Sequence, residues 1–116
     1  MFKVIVAGGR DFADYDLLKS KLDNLLVNRD PVEIVSGTAR GADKLGEFYA
    51  KRSQLAVALF PADWDLYGKS AGYKRNAQMA DYADALVAFW DGKSRGTMHM
   101  INLAKSAGLQ VRVVNY

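Results

Sequence analysis

Phe2-Lys3-Val4-Ile5-Val6-Ala7-Gly8-Gly9-Arg10-Asp11 opens the chain, and its order of residue types sets the fold class. A run of β-branched and apolar residues reads as a buried strand from Phe2 to Ala7, and the glycines that follow read as a tight turn. The same succession recurs twice. Ser36-Gly37-Thr38-Ala39-Arg40-Gly41-Ala42-Asp43 follows the strand-like run Val32 to Val35, and Trp90-Asp91-Gly92-Lys93-Ser94-Arg95-Gly96-Thr97 follows Ala85 to Phe89. Each turn pairs glycines with an arginine and leads toward an amphipathic helical stretch. A glycine turn between a strand's carboxyl end and a helix lets backbone N–H groups approach an anion, and the helix start adds partial positive charge.

Helical faces alternate with the strands. Leu18, Leu22, Leu25 and Leu26 fall on one face, with Asp14 or Asp16 as the cap, and Asp30-Pro31 breaks the chain before the second strand. Ala42, Leu45, Phe48 and Tyr49 form a second face, and Leu55 to Phe60 forms a third strand. Pro61 to Gly72 follows neither period, and its length predicts a wall or lid of a binding site, with Trp64 and Tyr67 as aromatic surface and Gly68 and Gly72 as hinges. A helix over Tyr73–Tyr82 and a strand over Ala85–Trp90 come next. Thr97, Met100, Ile101 and Ala104 give the last helix its inner face, Gly108 its end, and Val111–Val114 the last strand. Five strands and four helices in alternation predict one α/β domain over residues 1–116, a Rossmann-like open parallel sheet with helices on both faces.

Composition narrows the function. A chain of 116 residues, half of them apolar, can bury roughly 65% of its unfolded surface without staples. Without cysteine, disulfides, thiolate metal sites and cysteine nucleophiles are excluded. No apolar run approaches a membrane span, and Met1-Phe2-Lys3 runs straight into a strand with no secretory segment, so the expected location is the cytoplasm. The net charge of +3 and the pI near 9.2 come from dispersed lysines and arginines with no dense basic run. Nucleic acid is therefore the least favoured partner.

Three familiar motifs fail. The dinucleotide fingerprint counted from Gly8 needs glycines where Arg10 and Ala13 stand, and Ser36 occupies the place of its ribose-binding carboxylate. Two Gly-Lys-Ser strings lack the earlier glycine of a Walker A loop, which would fall at Asp63 or Val87. His99 is the sole histidine and has no metal-ligand partner at working spacing, so no metal and no cofactor is expected. What stays is anion chemistry. Gly8, Gly9, Gly37, Gly41 and Gly96 allow close backbone approach, Arg10, Arg40, Arg75 and Arg95 balance phosphate charge, and Ser36, Ser94, Thr97 and Asn76 offer polar groups. Trp64 offers a face to a base. Asp43 and Asp91 are the candidate catalytic carboxylates, Asp43 alternatively capping its helix.

Taken together, Gly8-Gly9-Arg10-Asp11-Phe12, Val35 to Asp43, Phe60-Pro61-Ala62-Asp63-Trp64, Gly72-Tyr73-Lys74-Arg75-Asn76 with Met79, and Phe89 to Thr97 resemble the YspA-type, cpYpsA-related branch of the SLOG superfamily, kin to DprA and LOG proteins. The resemblance covers almost the whole chain. It implies a Rossmann-like fold and a nucleotide or nucleotide-derived ligand, sensed or processed. LOG enzymes, which cleave the N-glycosidic bond of nucleoside monophosphates, carry Pro-Gly-Gly-x-Gly-Thr-x-x-Glu in the last turn. This chain keeps Gly96-Thr97 but has Met100 at the acidic position, and a thioether moves no proton. The leading expectation is a ligand-binding domain. A nucleotide hydrolase using Asp43 or Asp91 is the alternative, and DprA-type nucleic-acid binding the third. A homo-oligomer is left open.

Overall fold

The run from Phe2 to Gly8 is the central strand of a five-stranded, all-parallel sheet in the order β3-β2-β1-β4-β5. The computed structural model describes residues 1–116. Its strands are β1 (Phe2–Gly8), β2 (Val32–Ser36), β3 (Ala56–Leu59), β4 (Ala85–Trp90) and β5 (Gln110–Asn115). Its helices are α1 (Tyr15–Leu25), α2 (Ala42–Arg52), the short α3 (Trp64–Tyr67), α4 (Ala71–Tyr82) and α5 (Arg95–Ser106), with a 3-10 turn at Gly68–Ser70.

Strand alternation divides the core in two. Val4, Val6, Ile34, Val87 and Phe89 pack with Leu18 and Leu22 of α1 and Tyr49 of α2. Ile5, Ala7, Val35, Leu86 and Ala88 point the other way, against Met79 of α4 and Met100 and Ile101 of α5. Successive residues of one strand thus serve opposite layers, which is why the central strands read as unbroken apolar runs.

The strand order positions the site. The chain steps from β1 outward to β2 and β3, then returns to place β4 on the other side of β1. Val4 to Gly8 pair with Ala85 to Phe89, so the turns leaving β1 and β4 part in opposite directions. That reversal opens a crevice beyond the carboxyl ends, where sheets of this class bind ligands.

Three expectations need correction. Phe48 is exposed, not core: its ring lies on Tyr15 at 5.1 Å between centroids, outside the first layer. Pro61–Gly72 is more ordered than its lack of period suggested, because Asp63 accepts the Leu66 N–H at 3.0 Å and starts α3. α4 begins at Ala71, so Gly72 sits inside a helix and is no hinge. The cap of α1 resolves to Asp14, which accepts the Leu17 N–H at 3.0 Å.

Candidate functional site

The first turn is held from several sides. Gly9 N–H donates to the Phe89 carbonyl at 3.1 Å, and the Gly9 carbonyl accepts from Phe12 and from Ala42, each at 3.2 Å. Tyr116 closes it from the chain's far end, its hydroxyl donating to Asp11 Oδ1 at 2.6 Å and its ring meeting Phe12 edge-on at 4.9 Å. Gly41 makes the contact between the first two turns: φ is +77°, and a Cβ would overlap the Gly9 and Arg10 carbonyls. It therefore serves the packing of the two turns against each other and does not line the cavity, unlike Gly8, Gly9 and Arg10.

Ser36, at the end of β2, is fully buried and turned away from the crevice. Its Oγ donates to Glu47 Oε2 at 2.6 Å and accepts the Thr38 N–H at 3.0 Å, so the expected hydroxyl for a ligand is already spent on the turn. Asp43 is only 5% exposed, and its Oδ2 accepts the Ala39 N–H at 3.1 Å. It does not cap α2 in the way the sequence allowed, because the cap position is Gly41 and has no side-chain bond. Burial pushes the Asp43 carboxyl up to about 6, against the opposing pull of the Ala39 N–H and the Arg75 charge.

Arg75 reaches from α4 across the crevice. Its Nη1 donates to the Gly37 carbonyl and its Nε to Asn76 Oδ1 at 3.0 Å. A Cβ at Gly37 would stand 2.8 Å from Arg75 Nη1 and 2.9 Å from Asp43 Oδ2, so a larger residue there would push both side-chain ends aside. Gly37 thus lies behind Arg75 and is not part of the cavity lining. Burial lowers the guanidinium's pKa and Asp43 opposes the change. Arg75 is a tether between α4 and the second turn, not a freely solvated helix residue.

In the third turn Asp91 Oδ1 accepts N–H groups from Lys93 at 2.8 Å and Ser94 at 2.9 Å, which hold its carboxyl below the usual range. Ser94 caps α5, accepting the Thr97 N–H at 3.4 Å, and the two hydroxyls lie 3.0 Å apart. Asn76 Nδ2 donates to the Gly96 carbonyl at 3.3 Å and lies 3.2 Å from His99 Nδ1. The His99 ring meets Tyr73 at 4.4 Å, and burial lowers its pKa. His99 thus helps join α4 to α5, a role invisible to a search for metal spacing. Arg95, on the first turn of α5, is exposed and does not line the cavity.

These turns enclose a cavity of about 660 Å³. It brings together Gly8, Gly9, Arg10, Arg40, Asp43 and Trp64 of the expected set, and likewise Arg75, Asn76, Asp91, Ser94, Gly96 and Thr97. It leaves out Ser36, Gly37, Gly41 and Arg95. Lys69 was missed; it sits in a Gly-Lys-Ser string tested only against the Walker pattern, yet it lines the cavity from the 3-10 turn. Trp64 is 52% exposed, so it is not a core residue, and its ring reaches within 3.5 Å of where a Gly72 Cβ would lie, over the start of α4. The cavity's carboxylates are occupied: Asp11 by Tyr116, Asp43 by Ala39, Asp91 by its own turn. The chain's two ion pairs, Lys19–Asp23 and Lys44–Glu47, lie on helix surfaces and involve none of the cavity's cations. None of Arg10, Arg40 and Lys69 forms an ion pair, and with Arg75 the cavity's four cations outnumber its three carboxylates, Asp11, Asp43 and Asp91, which leaves the crevice a net positive charge.

Comparison with known proteins agrees with this geometry at the level of fold and family. Residues 2–67 match the model of the YspA, cpYpsA-related SLOG family, a stretch holding the first two turns and Trp64. The gene 61 protein of Mycobacterium phage D29 is 34% identical over 119 residues, spanning 96% of this chain and 94% of that protein. Among solved structures, DNA processing protein A (DprA) from Streptococcus pneumoniae superposes with a TM-score of 0.76 at 19% identity. That match covers 97% of this chain but only 50% of DprA, so the likeness is one of fold.

Proposed function

The chain belongs to the YspA, cpYpsA-related SLOG family, and from that premise we propose that it binds a nucleotide or nucleotide-derived phosphorylated ligand in the crevice. The observation that carries this reading is the excess of cations in the crevice, where Arg10, Arg40, Lys69 and Arg75 outnumber three carboxylates and Arg10, Arg40 and Lys69 form no ion pair. Phosphate oxygens suit such a place, since arginine binds them bidentately and the start of α5 adds its partial charge. The exposed indole of Trp64 on the cavity wall suits a base or a ribose face. Differential scanning with nucleoside mono- and diphosphates and ADP-ribose tests the proposal. Stabilisation by phosphorylated nucleosides but not by the free nucleosides is the expected result. The absence of any shift at millimolar phosphorylated ligand overturns it. A salt-sensitive gel shift with single-stranded DNA and no small-ligand shift transfers the site to the nucleic-acid reading.

Trp64→Ala separates a binding role for the wall from a structural one. The side chain is half exposed, so melting of the free protein should hardly change. Affinity for the best nucleotide found in that panel should fall by about 1–2 kcal/mol, a stacking-sized loss. Calorimetric titration of the variant checks both halves; unchanged affinity removes Trp64 from the site.

A hydrolase is the second reading, and one observation favours it: a carboxyl tuned to about 6 inside the cavity suits general acid–base work near neutrality. Met100, at the place of the LOG glutamate, is buried in the second core layer and supplies no proton chemistry. The reaction would therefore rest on Asp43, because Asp91 Oδ1 is spent on two backbone N–H groups.

A further inference from the structure

The two edges of the sheet differ in a way unrelated to the crevice. β5 carries Gln110, Arg112 and Asn115, and a charged side chain on an edge strand opposes pairing with another chain. At the opposite edge, Leu55-Ala56-Val57-Ala58-Leu59 has no charge, no proline and no polar side chain. β3 pairs with β2 alone. Phe60 N–H donates back to the Ser36 carbonyl at 2.8 Å, so strand alternation directs the N–H and C=O groups of Val57 and Leu59 outward. Val57 is 39% and Leu59 56% exposed, on the same strand face as Leu55.

This stretch reads identically in both directions about Val57. A two-fold interface sets each residue against its symmetric counterpart, so a strand with that symmetry is complementary to itself. We propose that the chain self-associates through β3, two copies pairing antiparallel about a two-fold axis at Val57 and joining their sheets edge to edge. Val57 then faces Val57 of the second copy, Leu55 faces Leu59, and Ala56 faces Ala58. Val57 exchanges both main-chain hydrogen bonds with its counterpart, and Leu59 N–H donates to the carbonyl of Leu55. The apolar side chains of Val57 and Leu59 leave water together on one face of the joined sheet. A one-residue slip would turn those side chains to the opposite face, which fixes the register.

The chain contains no cysteine, so one introduced thiol reports one position. In the proposed pair the two Val57 Cα atoms stand about 5.5 Å apart, within disulfide range. The two Leu59 Cα atoms stand roughly 13 Å apart along the strands, outside it. Mild oxidation should therefore crosslink Val57→Cys into a dimer roughly tenfold faster than Leu59→Cys. Sedimentation velocity of the unaltered chain should show a mass rising with concentration through the micromolar range. Val57→Lys should remain monomeric there while keeping its circular dichroism and melting temperature. A monomer at every concentration, a dimer that persists in Val57→Lys, or equal crosslinking of the two cysteine variants overturns the proposal. If Val57→Lys does not fold, the contrast between the cysteine variants decides.

Discussion

Gly41→Ala should lower the stability of the protein by about 3–5 kcal/mol, a large share of what a domain of this size possesses. Two costs add. At φ +77° an L side chain is strained, and the added methyl would overlap the Gly9 and Arg10 carbonyls. The backbone can relieve that overlap only by separating the first two turns, which breaks the bond from Ala42 N–H to the Gly9 carbonyl. Gly96→Ala is the contrast: a Cβ there meets nothing within 4 Å, and the helical position favours alanine. Urea unfolding of both variants measures the difference. The midpoint should fall steeply for Gly41→Ala with little change in slope, and stay or rise for Gly96→Ala. A Gly41→Ala protein as stable as the parent would mean that the two turns are not packed together in solution.

That contrast explains what the sequence can disclose. Val4, Ile5, Val6 and Ala7 declare a central parallel strand because both faces of it are covered, and coverage on both faces leaves an apolar run. Gly8 and Gly41 were legible because neighbouring main chain crowds them: a Cβ there would stand 2.3 Å from the Phe89 carbonyl oxygen and 2.2 Å from that of Gly9. Side-chain direction was not legible. Ser36 and Thr97 look alike as hydroxyls beside a turn, but Ser36 points inward to Glu47 while Thr97 stands at the cavity. The direction of Ser36 depends on Glu47, eleven residues further along the chain on α2, and that of Thr97 on Ser94, the cap of its own helix. Lys69 escaped notice because its position relies on Asp63 starting a single helical turn, a local event weaker than any amphipathic period. Likewise, nothing in the spacing of Arg75 announces that it crosses to the Gly37 carbonyl.

Asp43→Asn should stabilise the protein at pH 8 by about 3 kcal/mol, and the gain should vanish toward pH 4. The carboxyl's pKa rises from 3.8 to about 6 on folding, chiefly because burial disfavours its charge. The folded protein then holds this proton more tightly than the unfolded chain. The resulting stability is complete below about pH 3.8 and is lost as the pH climbs through about 6. Asparagine mimics the protonated form at every pH. Its side-chain oxygen still accepts the Ala39 N–H, so the second turn keeps its shape. The attraction of Arg75 and Arg10 for the carboxylate is already included in that net shift. Urea melts of parent and variant at pH 4, 6 and 8 read the effect directly. A variant no more stable than the parent at pH 8 would show that Asp43 is ionised in the fold at little cost. The same variant divides the two functional readings. A binding site loses no cation and should keep its affinity for a phosphorylated nucleoside. A hydrolase loses its proton carrier, so kcat should collapse with KM retained, and the parent's pH–rate profile should bend near 6. Turnover that survives Asp43→Asn assigns the proton transfer to another group of the crevice, whereas a parent protein that turns over no phosphorylated nucleoside leaves binding alone as its chemistry.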